Sequence, residues 1–271
     1  MPNPFFILDA FSSLPFRGSP TGVVVFETLP PSTQLLSIAD ELQFPVSAFI
    51  QKSNSEHYEI KYFTTITEIP TCGHATLAAA QIVFELEGCT QVSFKTIEGI
   101  CIEVALQDGI VWMTYPKYGL EKYSPNPVLL KALGLDDTVY IGFCPQLESL
   151  FIEIADPAIL RTLKPDFPQL LAADPALKEV VIMSNSDDPA YDFLLRSFCP
   201  WIGIDEDPVT GSVHSVLAPY WSKKRGKNAL KAFQCSRRGG EVFVRSETES
   251  VKLGGQNCLI ASGALWPAST F

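Results

Sequence analysis

The sequence has no apolar run long enough to cross a membrane. Stretches such as Gly22–Phe26 and Leu77–Phe84 fall well short of the roughly 20 residues that a spanning helix needs. The first residues, MPNPFFILDAF, contain no basic region and reach an acid at Asp9, so we expect no secretion signal. These absences predict a cytoplasmic protein that does not use a membrane.

Basic residues are scarce relative to acidic ones. The chain has 20 Lys and Arg against 30 Asp and Glu, which gives a formal net charge of −10. Nucleic-acid-binding proteins need a basic surface, so this balance argues against nucleic acid as a partner. With 46% hydrophobic and 18% charged residues, the composition is typical of a globular protein with a large core.

Paired cysteines and nucleotide-binding loops are also missing. The seven cysteines are odd in number and none has Cys-x-x-Cys spacing, which argues against a disulfide framework and a zinc site. We expect reduced, mostly buried thiols, with Cys72 set apart because it precedes Gly73 in the motif described below. Neither GxGxxG nor GxxxxGK[ST] occurs. We therefore expect no organic cofactor and no metal.

The residues that are present predict a strand-rich chain with one apolar helix in each half. Periodicity predicts helices at Ser32–Gln43, with a Ser/Thr cap after Pro30-Pro31, and at about Gly73–Leu86 and Gly211–Ser222. Segments rich in β-formers and bounded by turn signals predict mostly antiparallel strands. Pro116–Pro127 lacks apolar periodicity and is the best linker candidate. The class predicted is α+β, with a sheet curled round one helix in each half.

Two segments 138 residues apart share a pattern. EIPTCGHATLAA (Glu68–Ala79) and EDPVTGSVHSVL (Glu206–Leu217) each run acid-x-Pro-x-x-Gly into an apolar helix. Gly73 and Gly211 let a ligand approach the backbone closely. A helix N-terminus carries partial positive charge and unpaired amides, so two such turns facing each other would hold a small acid. The alternative is that both are ordinary strand-to-helix turns that need glycine for their geometry.

Of the three histidines, only His74 directly follows the glycine of this pattern. A neutral imidazole at that place can carry a proton. His57 and His214 are expected to be histidines satisfied by hydrogen bonds in the core.

At these motifs the sequence resembles the PhzF-like proteins of phenazine biosynthesis, within the diaminopimelate-epimerase-like fold. The resemblance covers nearly the whole chain and is carried by ILDAFSSLPFRGSPTGVVVF, KYFTTITEIPTCGHATLAAA, GIDEDPVTGSVHSVLAPYW, CSRRGGEVFV and VKLGGQ. It implies two pseudo-symmetric domains, each a mostly antiparallel sheet around a central apolar helix. One domain would comprise residues 1–118 plus about 256–271, and the other 119–255. It also implies a homodimer and a site in the cleft between the domains.

The activity implied by the resemblance is a cofactor-free isomerisation of a small carboxylate, in which a proton leaves one carbon and returns to another. Carried over residue by residue, the catalytic candidates are His74, Asp207 and Ser212. Gly73 and Gly211 fall on the carboxylate-binding turns, and Thr210 and Cys72 join them as substrate-binding candidates in the same turns.

The sequence departs from the family at the general-base glutamate. The family pattern Leu-Ser-Glu-Thr-Ala-Phe falls on residues 44–49, and the Glu position is Val46, which cannot take a proton. Glu68, Glu206 or Cys72 are the alternatives for a replacement base. Pro208 stands where related racemases have their second cysteine, so a two-cysteine mechanism is not expected. The other reading is a silent protein that binds a small acid in the same cleft without turning it over.

Overall fold

The computed structural model describes residues 2–53 and 57–266. The chain forms two compact units: unit 1 runs to Thr114 and resumes at Gly254, and unit 2 is Tyr115–Leu253. The boundaries expected from the sequence, after residue 118 and near residue 256, lie a few residues further along the chain.

Unit 1 is a sheet with two helices. In chain order its elements are β1 (Asn3–Ala10), β2 (Ser19–Phe26), α1 (Ser32–Leu42), β3 (Val46–Lys52), β4 (His57–Phe63), β5 (Glu68–Ile69), α2 (Gly73–Glu87), β6 (Gln91–Lys95), β7 (Cys101–Gln107), β8 (Ile110–Pro116) and β17 (Asn257–Leu265). Strand β1 lies between β17 and β2, with antiparallel pairing on both sides. Parallel pairing joins β2 to β3 and β4 to β6, and antiparallel pairing joins β3 to β4, β6 to β7 and β7 to β8.

Unit 2 is built in the same way. Its elements are β9 (Glu121–Lys122), α3 (Pro127–Leu133), β10 (Tyr140–Cys144), β11 (Ser149–Glu153), α4 (Pro157–Thr162), α5 (Phe167–Ala173), β12 (Glu179–Asn185), β13 (Phe193–Phe198), a 3₁₀ turn (Pro200–Ile202), α6 (His214–Arg225), β14 (Ala229–Gln234), β15 (Gly240–Ser246) and β16 (Ser250–Gly255). Parallel pairing joins β11 to β12 and β13 to β14, and antiparallel pairing joins β10 to β11, β12 to β13 and β14 to β15.

The two units therefore repeat one succession of strand pairings. The series antiparallel, parallel, antiparallel, parallel, antiparallel runs through β1-β2-β3-β4-β6-β7 and again through β10-β11-β12-β13-β14-β15. Helix α2 connects β4 to β6, and α6 connects β13 to β14. The α+β prediction with two similar halves is confirmed.

The 138-residue offset also extends past the two motifs that revealed it. Helices α2 and α6 end at Gly88 and Gly226, both left-handed with φ of 67° and 69°. A left-handed residue after a helix favours glycine because other side chains are strained there. The next strands begin at Gln91 and Ala229, again 138 residues apart. The repeat is thus a structural unit longer than the twelve residues that show it in the sequence.

The strands of unit 1 surround helix α2, which is why its residues need to be apolar on most sides. Its middle, Ala75–Ala80, is buried, as are Ile82, Val83 and Phe84. A helix that buries all of its faces needs small residues where it approaches neighbouring strands closely, and the alanines supply them. The predicted span Gly73–Leu86 is confirmed to within one residue.

Helix α6 differs from its prediction at the N-terminal end. It begins at His214, three residues after the expected Gly211. Pro219 lies inside this helix and cannot donate to the carbonyl of Ser215 four residues earlier. The amide of Tyr118 donates to that carbonyl instead, with N···O of 3.0 Å. The helix therefore tolerates the proline without leaving a buried acceptor unpaired.

The sheet of unit 2 has helices on both faces. Phe193 stacks on Trp221 of α6, with ring centroids 5.2 Å apart. The next residue, Leu194, points the other way into an apolar cluster with α3, α4 and α5. Alternate residues of β13 thus face α6, which places Leu195 and Ser197 on the α6 side.

Helix α1 occupies Ser32–Leu42 as predicted, but its predicted Ser/Thr cap is wrong. The capping residue is Pro31, and no side chain caps the helix. The hydroxyl of Ser32 instead accepts a hydrogen bond from Nζ of Lys61 at 3.0 Å. A tertiary contact has replaced the local one.

Candidate active site

The candidate residues form two clusters, one at the start of α2 and one in the turn before α6. Cys72, Gly73 and His74 belong to the first, and all three are half-buried. Cys72 is the extended residue that precedes the helix, and its carbonyl accepts from both the amide and the hydroxyl of Thr76, at 2.9 and 2.8 Å. The hydroxyl of Thr76 also lies 2.6 Å from that of Tyr62. The start of α2 is thereby fixed to the sheet.

The thiol of Cys72 and the imidazole of His74 are in contact. Sγ lies 3.5 Å from Nδ1 and 3.4 Å from Nε2. The positive end of a helix favours the thiolate form of a cysteine, and a neutral imidazole can accept or donate a proton. This cluster therefore joins two groups capable of proton transfer.

The second cluster is a loop held by hydrogen bonds to β14. Oδ2 of Asp207 accepts from the hydroxyl of Thr210 at 2.7 Å. The buried amide of Gln234 spans the loop: its nitrogen donates to the Asp207 carbonyl at 2.7 Å, and its oxygen accepts from the Thr210 amide at 2.9 Å. The hydroxyl of Ser236 donates to the Pro208 carbonyl at 2.7 Å. Asp207 thus has a fixed position and a half-buried carboxylate.

The chain between this loop and α6 is a tight turn. His214, Ser215 and Val216 donate to the carbonyls of Gly211, Ser212 and Val213, three residues before them. Within the described part of the chain, the amides of Gly211, Ser212 and Val213 have no hydrogen-bond partner. A run of amides at a helix start is suited to an anion. The later start of α6 is the reason that Gly211 and Ser212 lie in this turn and not in the helix.

The acid that opens each motif is paired with a base on the preceding strand. Both oxygens of Glu206 accept from Arg196, at 2.7 Å from Nε and 2.9 Å from Nη2. In unit 1, Nζ of Lys61 lies 3.8 Å from Oε1 of Glu68. A carboxylate committed to a bidentate guanidinium is a poor proton acceptor. The pairing with Arg196 therefore indicates that Glu206 holds the loop in place. It argues against Glu206 as the replacement for the missing base.

Two histidine expectations are wrong in part. His57 is exposed at the start of β4. His214 is fully buried, but within the described residues neither ring nitrogen has a hydrogen-bond partner. Burial without a partner disfavours the charged imidazolium and lowers the pKa of His214 to about 3. This residue is neutral at physiological pH.

None of the seven cysteines forms a disulfide, as expected, but they are not mostly buried. Only Cys144 and Cys199 are buried. The hydrophobic count of the sequence could not distinguish strand positions that face the core from those at an edge. Among the described residues, no group of three His, Cys, Asp or Glu side chains could hold a metal ion. No helix within those residues is long and apolar enough to cross a membrane.

Several residues that hold the site were missed by the sequence reasoning. Gln234 and Ser236 fix the Asp207 loop, and Arg196 braces Glu206. Gln234 directly precedes the CSRRGG segment, so the motif was noticed but its contact with the loop was not. Only the parallel pairing of β13 with β14 brings these residues beside the loop.

A cavity of about 760 Å³ lies elsewhere on unit 2. Its walls include Tyr118, Tyr140, Tyr220 and Lys223, toward the C-terminal half of α6. None of the candidate site residues lines it. The cavity and the turn before α6 are therefore separate features of the unit.

Comparison with known proteins agrees with the motifs. The family model described as phenazine biosynthesis-like protein, PhzC-PhzF, matches residues 8–263. Mouse phenazine biosynthesis-like domain-containing protein 2 is 33% identical, with 98% of this chain and 99% of the relative covered. An uncharacterized isomerase from Pseudomonas aeruginosa is 34% identical, with 96% of this chain and 97% of the relative covered.

Solved structures extend the similarity to the fold. A PhzF family protein from Enterococcus faecalis has a TM-score of 0.91 and 31% identity, covering 98% of this chain and all of its own. A hydroxyproline epimerase from Agrobacterium vitis has a TM-score of 0.54 at 10% identity, with 97% of this chain and 92% of that chain covered, which is a likeness of fold alone. The predicted diaminopimelate-epimerase-like fold is confirmed. The chain belongs to the PhzC-PhzF family of phenazine biosynthesis-like proteins.

Proposed function

We propose that this protein is a cofactor-independent isomerase that transfers a proton between two carbons of a small carboxylate. The substrate lies in a cleft shared by the two units, with its carboxylate held by the turns at Gly73 and Gly211, together with Thr210 and Cys72. Asp207 and His74 exchange the proton, and Ser212 hydrogen-bonds the substrate. Family membership and the relatives named as isomerases support the reaction class.

One observation carries the proposal. The Asp207 carboxylate is fixed by Thr210 beside a turn in which three successive amides, within the described residues, have no partner. A fixed carboxylate accepts a proton, and amides at a helix start stabilise negative charge on a bound acid or on an intermediate formed from it. Both functions are needed to remove a proton next to a carboxylate.

The test is solvent-deuterium incorporation into a panel of cyclic and 2-amino carboxylates, followed by NMR. The wild-type protein is expected to exchange at least one of them. Asp207→Asn should lower the rate by about 10²–10⁴-fold, since the base is removed while its shape is kept. Asp205→Asn is the matched control, because Asp205 is exposed in the same loop. No exchange by the wild-type protein across the panel, or full activity in Asp207→Asn, would overturn the proposal.

Val46 motivates a second candidate, a protein that binds a small acid without turnover. Val46 is 6% exposed at the start of β3, so that position contributes an apolar wall and no base. Under this candidate a carboxylate raises the melting temperature while no deuterium is exchanged. Exchange that depends on Asp207 rules it out.

The homodimer and the cytoplasmic location belong to this proposal as well. The family resemblance motivates the dimer, and the unpaired cysteines fit a reducing compartment. Sedimentation equilibrium should give twice the mass of one chain. The mass of a single chain at micromolar concentration would remove the dimer from the proposal without affecting the chemistry.

A further inference from the structure

Glu179 is a half-buried carboxyl that the proposed reaction does not yet use. It is the first residue of β12, and each of its two oxygens lies beside a hydroxyl on a neighbouring strand. Oε2 is 3.2 Å from the hydroxyl of Ser149 on β11, which also donates to the Leu147 carbonyl at 2.8 Å, and Oε1 is hydrogen-bonded to the hydroxyl of Ser197 on β13. The carboxyl is therefore held between two hydroxyls.

Ser197 also connects Glu179 to the Asp207 loop. Its carbonyl accepts from the amide of Asp207 at 3.1 Å, while its hydroxyl is hydrogen-bonded to Glu179. One residue therefore contacts the backbone of Asp207 and the side chain of Glu179. The charge of Asp207 contributes to the raised pKa of Glu179 described below.

Glu179 lies toward the N-terminal end of α6. Strands β11 and β12 run parallel, with Ser149 beside Glu179. At the other end of β11, Glu153 contacts Tyr220 and pairs with Lys224, near the C-terminal end of α6. Glu179 and Glu153 therefore lie at opposite ends of β11, and the contact of Ser197 with the Asp207 amide places the Glu179 end beside the loop that precedes α6.

The charged groups around Glu179 leave it without a cationic partner among the described residues. Lys178 pairs with Glu148, and the guanidinium of Arg196 is committed to Glu206 on the other face of the sheet. The thiol of Cys199 is buried, and burial together with the charges of Asp207 and Glu179 raises its pKa, so it stays neutral. Burial first, and then the charge of Asp207, raises the pKa of Glu179 to about 7.

The equivalent position in unit 1 is Val46. In both units this residue opens the third strand of the repeat and pairs with a residue near the start of the parallel second strand: Val46 with Thr21, and Glu179 with Ser149. The two units thus have equivalent positions at the start of this strand, with an apolar side chain in unit 1 and a carboxyl in unit 2.

We infer that Glu179 and Asp207 form a coupled carboxyl pair at the α6 turn, with Glu179 as a positioning residue that keeps a proton and so places no second negative charge beside Asp207. Two neighbouring carboxyls in a partly desolvated site do not both ionise easily, so one of them keeps a proton. This inference rests on the proposed function. In that reaction Asp207 and His74 move the proton from one carbon of the substrate to another, and the proton on Glu179 stays in place throughout.

A consequence for substrate binding follows. When Glu179 ionises above neutral pH, a second negative charge appears beside Asp207 and repels an anionic substrate. The KM for a carboxylate should therefore rise above pH 7 more steeply than kcat changes. A purely structural role for Glu179 would not produce this pH dependence.

The first experiment does not need activity. In protein labelled with ¹³C at glutamate carboxyls, the signal absent from Glu179→Gln belongs to Glu179, and its midpoint should lie near pH 7. Asp207→Asn should lower that midpoint by about one pH unit or more, because the neighbouring charge is gone. A midpoint near the ordinary glutamate value, or one that Asp207→Asn does not move, would overturn the pair.

The second experiment measures deuterium exchange against pH. Glu179→Gln should lose the rise in KM above pH 7, and Glu153→Gln should retain it, since Glu153 is a buried carboxyl at the other end of β11, where it pairs with Lys224. A rise that persists in Glu179→Gln contradicts the inference. If no carboxylate is exchanged but the NMR midpoint responds to Asp207→Asn, the proposed function fails while the coupled pair stands.

Discussion

The starts of α2 and α6 share a frame but differ in their chemistry. In each, an acid paired with a base on the preceding strand, a proline and a glycine lead into an apolar helix that ends at a left-handed glycine. Helix α2 begins directly at Gly73, with a thiol and an imidazole in contact. Helix α6 begins three residues later and is preceded by a turn of amides and a fixed carboxylate.

The difference shows which parts of a repeat are structural. The paired acid, the proline and the terminal glycine recur because each solves a problem of local geometry in both units. The side chains beside the turn differ between the units, and in the proposed reaction they are the groups that bind the acid and move the proton. In the proposed reaction unit 1 supplies His74 and unit 2 supplies Asp207, so the two copies contribute different groups to one site.

The basic residue that pairs with the acid of each motif is expected to give the largest difference in stability between the units. Arg196→Met leaves Glu206 half-buried and unpaired and removes donors from the carbonyls of Leu160 and Leu163, so we expect a loss of about 3 kcal/mol in the free energy of unfolding. Lys61→Met, which breaks the longer contact with Glu68, should cost less than about 1 kcal/mol. Urea unfolding of both variants measures the two values.

A double variant makes this comparison sharper. Adding Glu206→Gln to Arg196→Met removes the stranded charge and should restore part of the stability. Equal losses of stability in Arg196→Met and Lys61→Met would show that the two ion pairs are equivalent. No recovery in the double variant would show that the unpaired charge of Glu206 is not the cause of the loss.

The second difference between the units is in how stability depends on pH. His214 occupies the place that Thr76 has in unit 1, and Thr76 is hydrogen-bonded while His214 is not. The pKa of His214 is lowered from 6.5 to about 3 in the folded protein, so between these values the unfolded chain binds a proton that the folded chain does not. Stability is therefore lost as the pH falls below 6.5, by about 2 kcal/mol at pH 5.

The contribution of Glu179 to the pH dependence of stability has the opposite sign, so variants are needed to separate the contributions of Glu179 and His214. Its pKa is raised, and the folded protein binds the extra proton between the ordinary glutamate value and about pH 7, which favours the folded state toward lower pH. The difference in unfolding free energy between wild type and His214→Leu, taken at pH 7 and pH 5, isolates the histidine. A difference that does not change with pH contradicts the assignment.

The smallest expected effect on stability concerns the glycine that ends the helix in both units. Gly88→Ala and Gly226→Ala each place a side chain at a left-handed position with open space around it. We expect each to cost about 1 kcal/mol, because the backbone strain is the same and no steric contact is added. Thermal unfolding of the two variants should give similar values. A cost several times larger at one site would show that the helix ends are not equivalent.

The sequence was sufficient for the parts of the fold that local rules determine. The repeated acid-x-Pro-x-x-Gly pattern located both helices, and the alanine-rich run identified α2 as buried on all sides. The start of α6 was misplaced because the Gly-Ser-Val segment can continue a helix or form a tight turn. Hydrogen bonds from Gln234, which is 24 residues beyond Thr210, hold the loop from which that turn begins.

Contacts that depend on strand register could not be anticipated. Lys61 and Ser32 come together only after β4 packs beside α1, so the predicted cap of α1 was replaced. Glu179 was not noticed because a single acid at the start of a strand is ordinary until Ser149, Ser197 and Asp207 are seen around it. Partners from three separate segments create its environment.

The central claim is that the turns before α2 and α6 hold the carboxylate of a small acid. A crystal structure of the protein with an exchanged carboxylate bound tests this directly. We predict that a carboxylate oxygen lies within hydrogen-bond distance of the amides of the Gly211–Val213 turn, with a carbon-bound hydrogen directed at Asp207. An acid bound instead in the cavity beside Tyr220, or away from both Gly73 and Gly211, would contradict the account.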